Sequence, residues 1–278
     1  MKPLLPILCL LPAPSFAAFV LIDNFDSGYT LGALAGQNGW SNTTGGWSVA
    51  AAPAGGVGNV ASGASVLTPN NNFASKQLSL AIANTSTSST LFFRVRRTGG
   101  GVNMSVGLSD VLVPAATGDY ETQINAQHNT TAVDTFKVRD AGAFDDLGTG
   151  TFAIDTWYNV WMIVNNSADT YEMWIDQGNF GAPGTALTHI LDPVGGGPGD
   201  FTFGFRNGTA ANALTSVFLS MGGTNPILSG SLLVDDLYID SFGQNLSNPT
   251  AVPEPSSAVA VVGGAACLLG LLSRRRRG

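Results

Sequence analysis

The chain has 278 residues, with 19 acidic and 12 basic side chains, and its net charge is −7 at neutral pH. Only 11% of the residues are charged, against ~25% in an average soluble domain. An acidic chain of this kind is unsuited to nucleic acid, because phosphates attract basic surfaces. The two cysteines, Cys9 and Cys267, lie near opposite ends of the chain, so the region between them has no disulfide of its own.

The first 17 residues have the three parts of a secretory signal peptide. Lys2 supplies the positive charge, residues 4–11 form an apolar stretch, and Ser15, Phe16 and Ala17 form a small-x-small cleavage site. The sequence therefore predicts an export signal over residues 1–17 and a mature chain that starts near Ala18.

Residues 18–242 carry short apolar runs separated by Gly, Asn, Pro and Asp, which is typical of β-strands. Their seven basic and eighteen acidic residues give this body a net charge of −11. No long helical stripe occurs, so we expect two packed antiparallel sheets in a single domain. The predicted strands are 19–23, 47–50, 77–83, 90–98, 102–108, 120–127, 135–139, 157–164, 170–176, 201–206, 216–221 and 231–239.

The clearest hairpin joins residues 157–164 to residues 170–176 through a polar turn. Successive side chains of a strand point to opposite faces of the sheet. The alternation assigns one set of side chains to the core: Tyr158, Val160, Met162, Val164, Tyr171, Met173 and Ile175. It assigns Trp161, Ile163, Glu172 and Trp174 to the opposite face.

This hairpin, with the turn Asp176-Gln177-Gly178 after it, resembles the laminin-G and concanavalin-A-like jelly rolls. Residues 22–26 and 36–40 resemble the opening of such domains, and residues 233–240 resemble their closing strand. The resemblance implies an all-β, two-sheet antiparallel jelly-roll sandwich over residues 18–242. It also implies that the first and last strands pair, with residues 19–23 beside residues 232–239.

Catalytic motifs are scarce in the body, where Glu121 and Glu172 are the only glutamates. The paired carboxylates of a glycosidase strand are missing, and the adjacent pair Asp145 and Asp146 is interpreted as a solvated turn. His128 and His189 are far apart and are predicted to be surface residues. We therefore predict a noncatalytic protein; a carbohydrate-active enzyme, glycoside hydrolase or lyase, on the same fold is the alternative.

The letters of residues 56–61 match a dinucleotide fingerprint. Such a fingerprint needs a helix directly after it. No helix pattern follows, so this segment is predicted to be a loop.

Two indoles and a carboxylate on the face opposite the core suggest a surface for polysaccharide, since indoles stack on sugar rings. These are Trp161, Trp174 and Glu172, to which Arg94 and Arg96 could add from a neighbouring strand. The alternative is that a loop or small helix covers this face and that the arginines pair with acids across the strands.

Calcium is a second hypothesis. Asp23 and Asp235 would approach each other if the terminal strands pair, with Asp236 and Asp240 nearby, and oxygen ligands suit a hard cation. The jelly-roll resemblance also implies structural calcium near that edge. The alternative is that these aspartates face water and block association between sheet edges.

The C-terminal part is predicted to contain a flexible linker at 243–257 and a membrane helix with a cytoplasmic end at 258–278. The apolar run would form a helix of roughly 22–25 Å, and the basic stop of Arg274, Arg275, Arg276 and Arg277 would stay in the cytoplasm. A plain membrane anchor is the alternative to the processed signal described next.

The order of Pro253-Glu254-Pro255, apolar helix and arginine cluster resembles the PEP-CTERM sorting signal of Gram-negative bacteria. The resemblance implies export across the inner membrane by the secretion machinery, processing by an exosortase, and a place at the cell surface or in an exopolysaccharide matrix or biofilm. The predicted role is that of a noncatalytic cell-envelope or extracellular-matrix protein.

Overall fold

The structure, a computed structural model, describes residues 18–42, 46–64, 72–98, 103–128, 134–147, 153–178, 187–194, 199–208, 212–221 and 230–250. Over these residues the chain forms two antiparallel β-sheets packed face to face. The predicted fold class, an all-β jelly-roll sandwich, is confirmed.

The larger sheet has ten strands, all paired antiparallel. Its main path is β14 (Thr188–His189), β13 (Thr170–Gln177), β12 (Trp157–Asn165), β7 (Ser89–Thr98), β17 (Ser231–Asp240), β5 (Asn59–Ala64), β4 (Trp47–Ala51) and β2 (Gly32–Ala33). Two strands branch from this path: β1 (Val20–Asp23) pairs with β17, and β15 (Phe203–Gly204) pairs with β13.

The smaller sheet has seven strands. Their order is β11 (Ala143–Asp146), β10 (Asp134–Asp140), β9 (Thr122–His128), β8 (Asn103–Ser109), β16 (Leu214–Met221), β6 (Asn72–Ile82) and β3 (Trp40–Asn42). A 3₁₀ turn at Thr117–Asp119 precedes β9.

The core lies between the two sheets and uses the face of the β12–β13 hairpin that the alternation predicted. Tyr158, Val160, Met162, Val164, Tyr171 and Met173 are buried in one cluster, with Ile175 packed against it. The predicted pairing of the terminal strands is also confirmed, since Val20 lies opposite Ile239 and Leu21 opposite Tyr238.

Five strands were not predicted, and the most instructive is β5. Its sequence, Asn-Val-Ala-Ser-Gly-Ala, is dominated by small residues. Its apolar alternation is therefore too weak to predict a strand, which is why the sequence predicts a loop over residues 56–61.

The prediction of a solvated turn at Asp145 is also wrong, because Asp145 lies on β11 with only 6% of its surface exposed. The predicted strand at 201–206 shortens to β15. The remaining unpredicted strands are β2, β3 and β14.

Residues 243–250, predicted to begin a flexible linker, pack against the body instead. The carbonyl of Gly243 accepts a hydrogen bond from the Thr90 hydroxyl at 2.8 Å, and the same hydroxyl accepts one from the backbone N–H of Asn245 at 2.9 Å. Leu246 packs against the outer aromatic cluster of the larger sheet. The body of the protein therefore extends at least to Thr250, which is buried.

Among the described residues no helix has the length and apolarity needed to cross a bilayer. The predicted signal peptide at 1–17, the motif at Pro253, Glu254 and Pro255, and the helix with its basic end at 258–278 all lie outside the described residues.

Candidate functional site

The outer face of the larger sheet carries the residues predicted to bind a ligand, and its centre is covered. Trp161 lies opposite Trp174 on one side and Phe92 on the other, yet only 2% of its surface is exposed. Its indole N–H donates to the carbonyl of Ser247 at 2.9 Å. The expectation that Trp161 is open to a ligand is therefore wrong, because the segment after β17 lies over it.

Arg94 and Arg96, which were also predicted to add to the ligand surface, are engaged in structural contacts. Arg94 is fully buried, forms an ion pair with Asp236 at 3.2 Å and lies 4.6 Å from the ring centre of Trp157. Its other terminal nitrogen donates to the carbonyl of Gly55 at 3.2 Å. Arg96 donates to Ala54 at 2.5 Å and pairs with Asp155 at 3.0 Å. The loop before β5 thus covers both arginines.

The carboxyls around Arg94 are electrostatically crowded. Burial raises the pKa of Asp235 to about 9, the charge of Asp236 adds to this rise, and Arg94 opposes it. Burial also raises the pKa of Asp236, against the pull of Arg94. One cation between two buried carboxyls favours a proton on the pair at neutral pH.

The aspartates that were predicted to hold calcium have separate partners. Asp23 accepts hydrogen bonds from Lys76 at 2.6 Å, the Trp40 indole at 2.7 Å, the backbone of Phe25 at 2.8 Å and the Tyr29 hydroxyl.

Asp235, by contrast, lies beside Arg94, where the charge of that residue acts on it. Among the described residues, Asp23, Asp235, Asp236 and Asp240 contribute to no three-residue metal-ligand cluster. The pairing of β1 with β17 therefore does not assemble the predicted calcium site.

The edge of the same outer face is different, because its aromatic side chains are only partly buried. The Trp174 and His189 rings are stacked with centres 3.9 Å apart and planes 6° apart. The His189 and Phe201 rings are stacked at 3.9 Å and 11°. All three residues keep part of their surface exposed. We call Trp174, His189 and Phe201 the edge stack.

Glu172 stands beside the edge stack, two residues before Trp174 on the same face of β13. Its carboxylate lies 2.9 Å from Nε2 of His189, and the exposed fractions of the two side chains are 40% for Glu172 and 21% for His189. Burial lowers the pKa of His189, while the Glu172 carboxylate acts in the opposite direction. The result is a column of three rings, with His189 between Trp174 and Phe201, and one accessible carboxylate beside it.

Two backbone features position the edge stack. The pairing of β13 with β14 places Trp174 opposite His189, and the N–H of Asp192 donates to the carbonyl of Asp200 at 2.9 Å, next to Phe201. Sequence reasoning found Trp174 and Glu172 but missed His189 and Phe201. The strand β14, which carries His189, could not be recognised from the sequence, because two residues are too few to show an alternating pattern.

The second glutamate of the body cannot join Glu172 in chemistry at this edge. Glu121 is 1% exposed, and both its carboxylate oxygens accept hydrogen bonds from Asn207, at 3.0 and 3.2 Å. Burial raises its pKa. Glu121 is therefore a structural residue that holds the segment after β15.

No protein-family model matches the chain, and no curated protein sequence matches it significantly. Solved structures with a similar fold include lectin II from Ulex europaeus (11% identity, 75% of this chain and 95% of that chain covered, TM-score 0.48).

A seed lectin from Lotus tetragonolobus is similar at 8% identity (73% and 92% covered, TM-score 0.43). The catalytic domain of a glycoside hydrolase family 131 protein from Coprinopsis cinerea is similar at 12% identity (66% and 75% covered, TM-score 0.37). Likeness at this level carries no argument about ligand or activity.

Proposed function

We propose that this chain is an exported, noncatalytic protein of the cell envelope or extracellular matrix that contacts polysaccharide through the edge stack. The observation that carries the proposal is the partly exposed parallel stack of Trp174, His189 and Phe201 with Glu172 beside it. The outer rings, Trp174 and Phe201, can offer a flat apolar face to the C–H face of a sugar, and a carboxylate accepts hydrogen bonds from its hydroxyls.

Rigidity supports this role. Each ring of the edge stack is held by its neighbour at 3.9 Å, so little side-chain entropy remains to be lost when a ligand binds. A polysaccharide offers many repeats of one weak contact, and several copies of the protein bound along one polymer gain from multivalency. A modest affinity for each site is therefore sufficient for a matrix protein.

Export is proposed on the two ends of the sequence. Residues 1–17 have the parts of a signal peptide, and Pro253-Glu254-Pro255 followed by an apolar run and Arg274–Arg277 resembles a PEP-CTERM signal. In this proposal the secretion machinery and an exosortase of a Gram-negative bacterium handle the chain, with transit through the inner membrane. The absence of any cysteine from residues 18–250 is compatible with an oxidising compartment.

Binding is tested by co-sedimentation of the full chain with insoluble bacterial exopolysaccharide. We expect Trp174→Ala and Phe201→Ala to weaken retention at least fivefold each, since stacking on one ring contributes about 1 kcal/mol or more. Phe242→Ala is the matched control, because Phe242 is an aromatic residue that is 81% exposed away from the edge stack. If Trp174→Ala and Phe201→Ala are retained as well as the control Phe242→Ala, the edge stack is ruled out as the binding surface.

The noncatalytic part of the proposal is tested in the same samples. Incubation with the wild-type chain should release no new reducing ends from the polysaccharide. Release that is abolished by Glu172→Gln would favour the glycan-degrading alternative instead.

Sorting is tested by mass spectrometry of the C-terminus in membrane, cell-surface and medium fractions. We expect the surface or medium form to end near Pro253 and the membrane form to keep Arg274–Arg277. An intact chain in every fraction would favour a plain membrane anchor.

A further inference from the structure

Three aspartates from separate segments come together beside the β10–β11 hairpin. Asp140 ends β10, Asp145 lies on β11, and Asp192 follows β14. One carboxylate oxygen from each lies within 4.8 Å of the other two. Asp145 and Asp192 are 6% and 4% exposed, so two of the three charges are removed from water.

Asp145 provides a second, independent observation. Its Oδ2 is buried and has no hydrogen-bond partner, which is costly for a carboxylate oxygen. The nearby guanidinium of Arg139 does not fill this role, because it donates to the turn carbonyls of Ala141 at 2.9 Å and Gly142 at 2.7 Å. Asp145 Oδ2 therefore has no hydrogen-bond donor among the described residues.

The other two carboxylates are held in place by backbone donors. Asp140 accepts from the N–H of Gly204 at 2.6 Å, and Asp192 accepts from the N–H of Val194 at 2.9 Å. Each of these bonds uses Oδ1. The cluster is therefore positioned by the fold. Burial, together with the charges of Asp140 and Asp192, raises the pKa of Asp145.

We propose that Asp140, Asp145 and Asp192 form a calcium-binding site. Ca²⁺ takes oxygen ligands at about 2.3–2.6 Å, so two ligands of one ion are at most about 5 Å apart, and the three carboxylate oxygens meet this condition. Mg²⁺ demands a near-ideal octahedron, usually keeps several waters and is held by one or two carboxylates, so a cluster of three carboxylates suits Ca²⁺ better. Backbone carbonyls and water commonly complete the coordination of Ca²⁺.

The site would connect the two sheets at one edge. Asp140 and Asp145 belong to the smaller sheet, whereas Asp192 follows β14 of the larger sheet. Because the N–H of Asp192 donates to Asp200, the ion would also fix the segments that carry His189 and Phe201. The site stands or falls independently of polysaccharide binding, since its test measures the cation alone.

The test is calorimetric titration of CaCl₂ into the chelator-treated full chain, with melting temperatures measured in parallel. We expect one bound Ca²⁺ per chain, and at a concentration one hundred times the Kd we expect the Tm to rise by about 5 °C or more. Mg²⁺ should give less than half of that shift. An equal rise of the melting temperature with Mg²⁺ would contradict a site that prefers calcium.

Asp145→Asn and Asp192→Asn should each abolish the calcium response. Asp146→Asn is the matched control: it changes the next, exposed carboxylate of the same strand and should keep the full response. In chelator, Asp145→Asn should melt close to wild type, because the amide removes a repelling charge; if it does not fold, Asp192→Asn decides. No calcium effect on wild type, or loss of the effect in Asp235→Asn but in neither cluster variant, would overturn the proposal.

Discussion

The centre and the edge of one sheet face use similar residues in opposite ways. At the centre, Trp161 and Arg94 lie under the segment after β17 and the loop before β5, with 2% and 0% of their surfaces exposed. At the edge, Trp174 and Glu172 remain partly exposed beside His189 and Phe201. Side-chain direction within a strand thus identifies a face, but the covering segments decide which part of that face can meet a ligand.

In the proposed function, the centre stabilises the fold and the edge binds polysaccharide. Buried aromatic and ionic groups that lose a partner destabilise the fold, whereas partly exposed rings contribute less to folding and remain available for contact.

The largest expected effect is at Arg94. Arg94→Ala leaves the Asp235 and Asp236 carboxyls buried without their cation and should lower the free energy of unfolding by about 3–5 kcal/mol. Urea denaturation measures this loss. The control is Lys137→Ala, which removes a half-buried cation of the smaller sheet and should lower the free energy of unfolding by about 1 kcal/mol or less. A loss at Arg94 no larger than that of the control would contradict a structural role for the centre.

Trp161 and Trp174, which lie opposite each other on β12 and β13, should show the clearest difference between a stabilising and a binding residue. Trp161→Ala should cost about 3–5 kcal/mol of stability, because it empties a buried aromatic site. Trp174→Ala should cost only about 1–2 kcal/mol, while reducing retention on polysaccharide. Equal stability losses, measured by urea denaturation, would show that the edge is as deeply packed as the centre.

The Asp235 carboxyl should make stability depend on pH. Its pKa is raised from 3.8 to about 9, so the folded state binds the extra proton; this stabilisation is fully present below the ordinary pKa and is lost as pH rises toward 9. Asp235→Asn mimics the protonated carboxyl and should match wild type within about 1 kcal/mol at a pH below 3.8. It should then be the more stable protein at pH 9, and parallel decline of both proteins would count against this assignment.

The smallest expected effect is the pH dependence of stability caused by His189 at the edge, and its sign is opposite to that caused by Asp235. Because the pKa of His189 is lowered from 6.5, its contribution is present above that value and is lost as pH falls through the folded pKa. The side chain is partly solvated, so the change should be less than about 1 kcal/mol. The Asp235 contribution is common to wild type and to His189→Phe, which keeps an aromatic ring but cannot titrate. The difference in melting temperature between these two proteins should therefore show the His189 slope between pH 5 and 8.

Much of the fold could be predicted because alternation is a local property. The β12–β13 hairpin and its core face follow from patterns in short segments, whereas the pairing of β1 with β17 was implied by the jelly-roll resemblance. The small residues of β5 and the two-residue strand β14 carry too little pattern to be recognised.

The site was harder to predict because it depends on contacts between distant segments. Nothing near Trp161 in the sequence indicates that Ser247 will accept its indole hydrogen bond. The edge stack joins β13, β14 and the segment before β15, and the aspartate cluster likewise joins three separate segments. Residue type suggested the chemistry, but only the packing shows which residues meet.

The central claim, that the edge rather than the centre meets polysaccharide, is tested most directly by hydroxyl-radical footprinting of the full chain. On addition of soluble exopolysaccharide, oxidation of Trp174, His189 and Phe201 should fall at least twofold, while Phe242, which is 81% exposed, should be oxidised as before. Unchanged oxidation of the three edge residues in a sample that binds polysaccharide would contradict the account.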